Sequence, residues 1–229
     1  MAGIKVHTAE TEFVVDTDDL KNHLKISGTD DNDTLDVIRV ACHNWAKNYT
    51  KRTLTTVTYQ LFLDSIYQPD RVIQEGKYVG IDQDINRRSI LLPFSPVASV
   101  THFKSYDDDD TATTFASSKY YLSTSSVPAK ITLRQGESYP TGLRVADAFE
   151  IQYVAGYGGR TAVPVDIKNA CLIYAGYLFE HRGDTSFSGS DYNQSVPYIA
   201  TQLLAPYVVR QFSTNPFRGT ASFGGLYGF

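Results

Sequence analysis

Apolar residues recur every three or four positions near both ends of the chain and about every second position in the stretch between. Leu35, Ile38, Cys42, Trp45 and Tyr49 fall on one face at helical spacing, which predicts a helix over 31–49 with Trp45 in the core. A shorter helix is predicted over 17–26. Asp16 or Thr17 can accept the free amides of its first turn, Asp18 and Asp19 suit the positive end of its dipole, and Gly28 suits its stop. The acids of 30–33 read as caps for the second helix. Helical spacing returns after Pro164 with Ile167, Ala170, Cys171, Tyr174, Leu178 and Phe179, and Gly183 is the expected stop. Residues 185–194 are polar and rich in Gly and Ser, and read as a loop. A last helix is expected from Pro197, carrying Ile199, Leu203 and Leu204. Pro206 should break it near Ala205, because its ring clashes with the preceding turn and it brings no donor.

From 54 to 156 the residues are β-branched and aromatic, with polar interruptions such as Thr58 and Gln60. Strands are predicted at 54–63, 71–75, 89–92, 97–106, 119–124, 130–134 and 148–157, with turn signals at 75–76, 93–96 and 139–142. Short strands at irregular spacing suggest a small sandwich or barrel. The expected fold is therefore α+β: an α-helical bundle of about four helices drawn from both ends of the chain, an inserted small antiparallel β domain, and an extended C-terminal arm. The boundaries are 13–53 and 163–210 for the bundle, 54–157 for the insertion and 211–229 for the arm.

Composition narrows the function classes. At 42% hydrophobic and 20% charged residues the chain can form a core and is not disordered as a whole. The net charge is −4, and Lys51-Arg52 and Arg87-Arg88 are isolated basic pairs, so tight, sequence-reading DNA binding is disfavoured. A mildly acidic surface suits a conduit for DNA better than a clamp. Cys42 and Cys171 each sit in an apolar helical pattern and read as small buried hydrophobes. No signal-peptide pattern precedes Val15 and no apolar run approaches a membrane span, so a soluble protein made in a cytoplasm is expected.

Few residues invite catalysis. His7, His23, His43, His102 and His181 make no metal spacing and read as surface or satisfied core groups. No Gly-x-Ser-x-Gly motif is present, and Gly156-Tyr157-Gly158-Gly159 lacks the ending of a phosphate loop, so it reads as a strand-to-helix turn. Asp107 to Asp110 reads as a solvated hairpin tip, with a calcium site as the sharper alternative. No enzyme activity, metal or cofactor is expected. Distant paired carboxylates, or sugar stacking on Tyr120 and Tyr121, keep a glycan-binding or glycan-cleaving β module open as an alternative.

The arm is the most informative candidate site. Residues 213–229 hold four glycines, no acid and one basic residue, together with Phe217, Arg218, Phe223, Leu226, Tyr227 and Phe229. Burying the four aromatics, at roughly 800 Å² in total, contributes about 20 kcal/mol. Ordering ~15 residues costs roughly 22 kcal/mol. One arm therefore binds weakly, whereas many arms on a ring bind well through multivalency.

Four segments carry a family resemblance. They are Ala46-Lys47-Asn48-Tyr49-Thr50-Lys51-Arg52-Thr53-Leu54-Thr55; Ile90-Leu91-Leu92-Pro93-Phe94-Ser95-Pro96-Val97-Ala98-Ser99-Val100; Ile151-Gln152-Tyr153-Val154-Ala155-Gly156-Tyr157-Gly158 with Val163-Pro164-Val165-Asp166-Ile167-Lys168-Asn169-Ala170; and Leu203-Leu204-Ala205-Pro206-Tyr207 with Val209-Arg210. In their order and approximate spacing they resemble the head–tail connector (adaptor, or head-completion) proteins of long-tailed bacteriophages and gene-transfer agents. The resemblance implies a helical bundle with an inserted β domain. It also implies a homo-oligomeric ring, usually twelve-fold, docked under the portal protein in the neck of a virion assembled in the host cytoplasm. A stopper or tail-completion protein would sit on the other side, double-stranded DNA would pass through the hole without sequence-specific binding, and no membrane would be involved. C-terminal segments commonly engage the portal in this family, which assigns the portal-binding role to the arm residues named above. A different neck component, such as a stopper, is the near alternative.

Overall fold

The computed structural model describes residues 2–66, 89–181 and 196–209. Among these, four α-helices and eight strands form a mixed α+β fold with antiparallel sheets. The predicted strand at 71–75, the Gly183 stop, the 185–194 loop and the 211–229 arm lie outside the described residues.

Helix α1 spans Thr17–Leu24. Asp16 closes a capping box at its start: Asp19 N–H donates to Asp16 Oδ1 at 2.7 Å, and Asp16 N–H donates to Asp19 Oδ2 at 3.2 Å. It ends at Lys25, which takes the left-handed conformation (φ 58°), three residues before the expected Gly28. Helix α2 spans Asn32–Thr50. Asp31 precedes it at φ −93°, ψ 4°, and its side chain makes no cap hydrogen bond, because a cap residue needs extended backbone to aim its carboxylate at the first amides. That corrects the reading of 30–33 as caps.

The buried stripe of α2 is Leu35, Ile38, Cys42, Ala46 and Thr50, with His43 beside it. Trp45 was expected in the core; the fully buried stripe advances by four residues at each step after Ile38, so Trp45 packs against the core from its flank, and Tyr49 lies further out. Trp45 is half-buried and packs on Tyr174, with ring centroids 4.5 Å apart. Helix α3, Val165–Glu180, follows Pro164, and helix α4, Tyr198–Leu204, runs into a 3-10 turn at Ala205–Tyr207 where Pro206 removes a donor. Ala200 and Leu204 face inward on α4, while Ile199 is exposed. Leu20, Leu35, Cys42, Ile167, Cys171 and Leu204 meet in one helical core, which also takes Val14 and Val15.

The strands are β1 (Ala2–Thr8), β2 (Val57–Leu63), β3 (Ser89–Leu92), β4 (Val97–Tyr106), β5 (Ala112–Thr114), β6 (Tyr120–Ser123), β7 (Ala129–Leu133) and β8 (Phe149–Ala155). One sheet runs β1-β2-β8-β4-β5 and the other β3-β7-β6. Their facing sides enclose a second core centred on Phe103, Ile131, Ile151 and Tyr153. Strands β1 and β5 were not anticipated by the sequence pattern.

The chain crosses between the two cores side by side at 54–56 and 156–158. Tyr157 N–H donates to Leu54 O at 3.2 Å, Thr56 N–H to Gly158 O at 3.1 Å, and Gly156 N–H to Pro96 O at 2.8 Å. The glycines of 156–159 thus form the turn read from the sequence. Gly156 sits at φ 115°, with the Thr55 backbone where a Cβ would go. Residues 9–16 make a third link. This strap leaves β1 and runs over α2 to reach α1.

Candidate functional site

Three polar constellations and a groove bear most on function among the described residues. The first holds the strap to α2. His43 is fully buried, and its Nδ1 accepts the Val14 N–H at 3.3 Å, so the ring proton is on Nε2. That nitrogen faces Glu10 Oε1 at 3.5 Å, and Lys47 Nζ donates to both Glu10 oxygens at 2.9 and 3.0 Å. The Phe13 ring meets His43 edge-on and lies under the Arg39 guanidinium. At the far end of the strap Glu12 accepts from Arg160 N–H at 2.8 Å, and Asp16 pairs with the Arg160 guanidinium at 2.5 Å.

The His43 contact, opposed by burial and reinforced by Lys47, pulls the Glu10 carboxyl down to about 2 from its ordinary 4.5. A carboxyl depressed on folding contributes stability above its unfolded value, and that stability is lost as pH falls through the folded one. The Glu10 contribution is therefore full above about pH 4.5 and disappears toward about pH 2. Glu10→Gln is expected to flatten the fall in melting temperature across this window while lowering it at neutral pH. Parallel melting curves for the two proteins across the window would reject the assignment.

The second constellation lies on the outward face of the larger sheet. Glu150, in the central strand β8, is only 7% exposed. Gln60 Nε2 donates to its Oε1 at 2.9 Å, His102 Nε2 lies 3.0 Å from the same oxygen, and Tyr106 OH donates to Oε2. Burial raises the Glu150 pKa, but the hydrogen bonds from Tyr106 and His102 and the nearby positive charge of Lys104 outweigh it, leaving it below the ordinary carboxylate range. A carboxylate so depressed is a poor general acid. The network knits β2, β8 and β4 together on the face that lacks an apolar core.

The third is the tip of the β4–β5 hairpin. Asp107 Oδ1 accepts the N–H of Asp109 at 3.1 Å and of Thr111 at 2.7 Å, while Asp110 pairs with Arg144 at 2.9 Å. The acidic run is a hairpin turn whose Asp107 and Asp110 carboxylates already have partners. A groove of about 560 Å³ lies beside it, lined by Asp64, Ile66, Tyr139, Leu143, Arg144 and Phe149 among others. No group of three or more His, Cys, Asp or Glu that could hold a metal occurs among the described residues.

Other sequence candidates are placed as follows. Cys42 and Cys171 are buried free thiols; burial pushes Cys42 up to about 12 and Cys171 higher still, so neither is a nucleophile. Tyr120 is buried in the β core, and Tyr121 is exposed with the Arg134 guanidinium 3.8 Å from its ring centre. The pair therefore offers no shared stacking surface for a sugar, because adjacent residues of a strand point to opposite faces. His181 stacks on Tyr177. The arm residues Phe217, Arg218, Phe223, Leu226, Tyr227 and Phe229 lie outside the described residues. No described helix is long and apolar enough to cross a membrane.

No family model matches the chain, and no curated protein matches it in sequence. Solved structures do. A chain in the neck of an empty GTA particle, computed with C6 symmetry, superposes with a TM-score of 0.67 at 19% identity, covering 91% of this chain and 96% of that one. A chain in the neck of a native GTA particle, computed with C12 symmetry, gives 0.65 at 20% identity with the same coverage. The chain shares its fold with subunits of these necks. A chain in the virion of a native gene transfer agent particle gives 0.64 at 20% identity, again over 91% and 96%. The likeness spans both cores and nearly the whole of each neighbour.

Proposed function

We propose that the chain is a structural subunit of the neck of a tailed-phage-like particle, built into a ring at the head–tail junction. The observation that carries this reading is the fold likeness to gene transfer agent neck chains over 91% of this chain and 96% of theirs. A fragment or shared motif would cover much less. Within the neck, the adaptor position directly under the portal is favoured over the stopper position by the order helices, β unit, helices and by the four sequence segments that resemble adaptors. In this role about twelve copies surround a channel for double-stranded DNA. The net charge of −4 suits a wall along which DNA slides without being held. A non-enzymatic role fits groups that are already engaged: two buried thiols, a Glu150 that accepts from Gln60 and Tyr106, and a buried His43 whose Nδ1 accepts from Val14. The C-terminal arm, through Phe217, Arg218, Phe223, Leu226, Tyr227 and Phe229, is assigned to the portal.

The test is reconstitution with the portal of the same particle, followed by electron microscopy. A ring seated on the portal supports the adaptor position, whereas density only on the far side of another neck protein rejects it. Removing residues 213–229 is expected to leave the melting temperature unchanged and to reduce portal binding at least about 100-fold, since avidity from many arms is lost together. Undiminished binding by the truncated protein would remove the arm from the proposal.

A further inference from the structure

Among the described residues, strand β1 is paired along one side. It pairs with β2 from Ala2↔Leu63 to Thr8↔Thr58, and no described strand pairs with its other edge. Every side chain from Gly3 to Thr8 is exposed. Ile4 stands opposite Leu61 and Val6 opposite Tyr59, and both partners are buried core residues. Residues opposite one another on neighbouring strands share a face. Ile4 and Val6 therefore continue the apolar inner side of the five-stranded sheet, and the three-stranded sheet stops short of them. They are 41% and 50% exposed. An unpaired edge with a bare apolar face is what soluble sheets usually blunt with proline, inward charges or a covering segment. Here the only charged residue of the strand, Lys5, faces the other way.

We infer that the outer edge of β1, with Ile4 and Val6, is the surface on which a second copy of this chain seats in the assembled ring. The inference rests on the ring reading above. It favours a second copy because a head-to-tail contact needs two different surfaces of one chain. The five-stranded sheet supplies them, with β1 at one end and the short, exposed β5 at the other. Each successive neighbour in that sheet is antiparallel, so β1 and β5 run in the same direction. Rotation about a ring axis preserves direction along the axis, so the two edges of adjacent copies meet in a consistent orientation all the way round. Burying Ile4 and Val6 in that contact removes the apolar overhang.

The experiment compares assembly of the full chain, the double variant Ile4→Glu with Val6→Glu, and Val37→Glu, by mass photometry and native mass spectrometry, alone and with the portal ring present. Val37 is an exposed valine on α2, 70% accessible, and serves as the control charge. The wild type and Val37→Glu are expected to form rings. The double variant is expected to need at least roughly 100-fold higher concentration, because a carboxylate cannot be buried unpaired at the contact. Its melting temperature as a dilute monomer should stay at the wild-type value, since neither side chain is in a core. Should the charges unfold the strand, Ile4→Ala with Val6→Ala reads the same contact by a smaller shift in the same direction. Normal rings from the double variant overturn the assignment of β1 and leave the ring reading standing, with β1 then facing a different neck protein. Equal loss in Val37→Glu overturns it as well, because the contact is then not localised to β1. A wild type that stays monomeric in every condition removes the ring reading, and this inference with it.

Discussion

Replacing Gly156 by valine is expected to destabilise the protein by roughly 3 kcal/mol or more. Two penalties act together. Gly156 sits at φ 115°, a conformation that a β-branched L-residue does not adopt without strain. Its Cβ would also fall on the carbonyl oxygen of Thr55, 2.6 Å from the Thr55 carbonyl carbon and 3.0 Å from the Thr56 nitrogen. All three are backbone atoms, so no side chain can turn away. Relief requires the two crossings at 54–56 and 156–158 to separate, which breaks the hydrogen bonds from Tyr157 to Leu54 and from Thr56 to Gly158. Denaturant melts measure the loss. A decrease below about 1 kcal/mol would mean that the junction yields easily and is not the rigid link between the cores.

Phe103→Ala is expected to cost about 3–5 kcal/mol, the range for truncating a buried aromatic. Phe103 is 1% exposed, and its ring centre lies 5.2 Å from Phe115, 5.9 Å from Phe149, 6.0 Å from Tyr120 and 6.3 Å from Tyr139. Four rings cannot all close on the space it leaves, so a cavity term adds to the lost transfer energy. Phe103→Leu should cost much less. The chain has one tryptophan, Trp45, which packs at the flank of the helical core. Its fluorescence therefore reports on the unit that the mutation does not touch. If the two cores unfold together, the tryptophan transition shifts as far as the β-sheet signal in circular dichroism. A tryptophan transition left in place would show that the hydrogen-bonded junction and the strap do not couple them.

Much of this architecture is legible in the sequence where the signal is local. The three-and-four spacing of Leu35, Ile38 and Cys42, the capping box at Asp16 and the proline stop at Pro206 each act within a few residues. Alternation located β2, β4, β7 and β8 to within a few positions for the same reason. Strand β1 escaped because it contains just two large apolar residues, and what orders it is backbone pairing with β2 from 50 to 61 positions away. The burial of Glu150 was likewise invisible: it depends on Gln60, His102 and Tyr106 arriving from two other strands. His43 looked like any helical histidine, and only the strap reveals that it receives an amide from Val14. The three-and-four spacing put Trp45 on the apolar face, and it does pack against the helical core, but the fully buried place beside it goes to Ala46. The surface proposed to meet a second copy combines two of these blind spots. It is non-local in origin, and its apolar residues are too few to stand out in a pattern.

The interleaving of the helical core with the β unit has a consequence for synthesis. Cys171 donates to the Cys42 carbonyl across 129 positions, and Ile167, Ala170 and Ala175 enter the same core from the far side of the β unit. When the apolar stripe of α2 emerges from the ribosome, the residues that will cover it have not been made. The last described strand ends at Ala155, so the sheets can close while the first two helices still await their partners. The nascent chain therefore passes through a stage in which Leu35, Ile38 and Cys42 are open to solvent for as long as translation takes to reach α3. Slowing the ribosome between codons 50 and 165 should prolong that stage and raise the share of newly made chain lost to aggregation, whereas the same slowing after codon 209 should not.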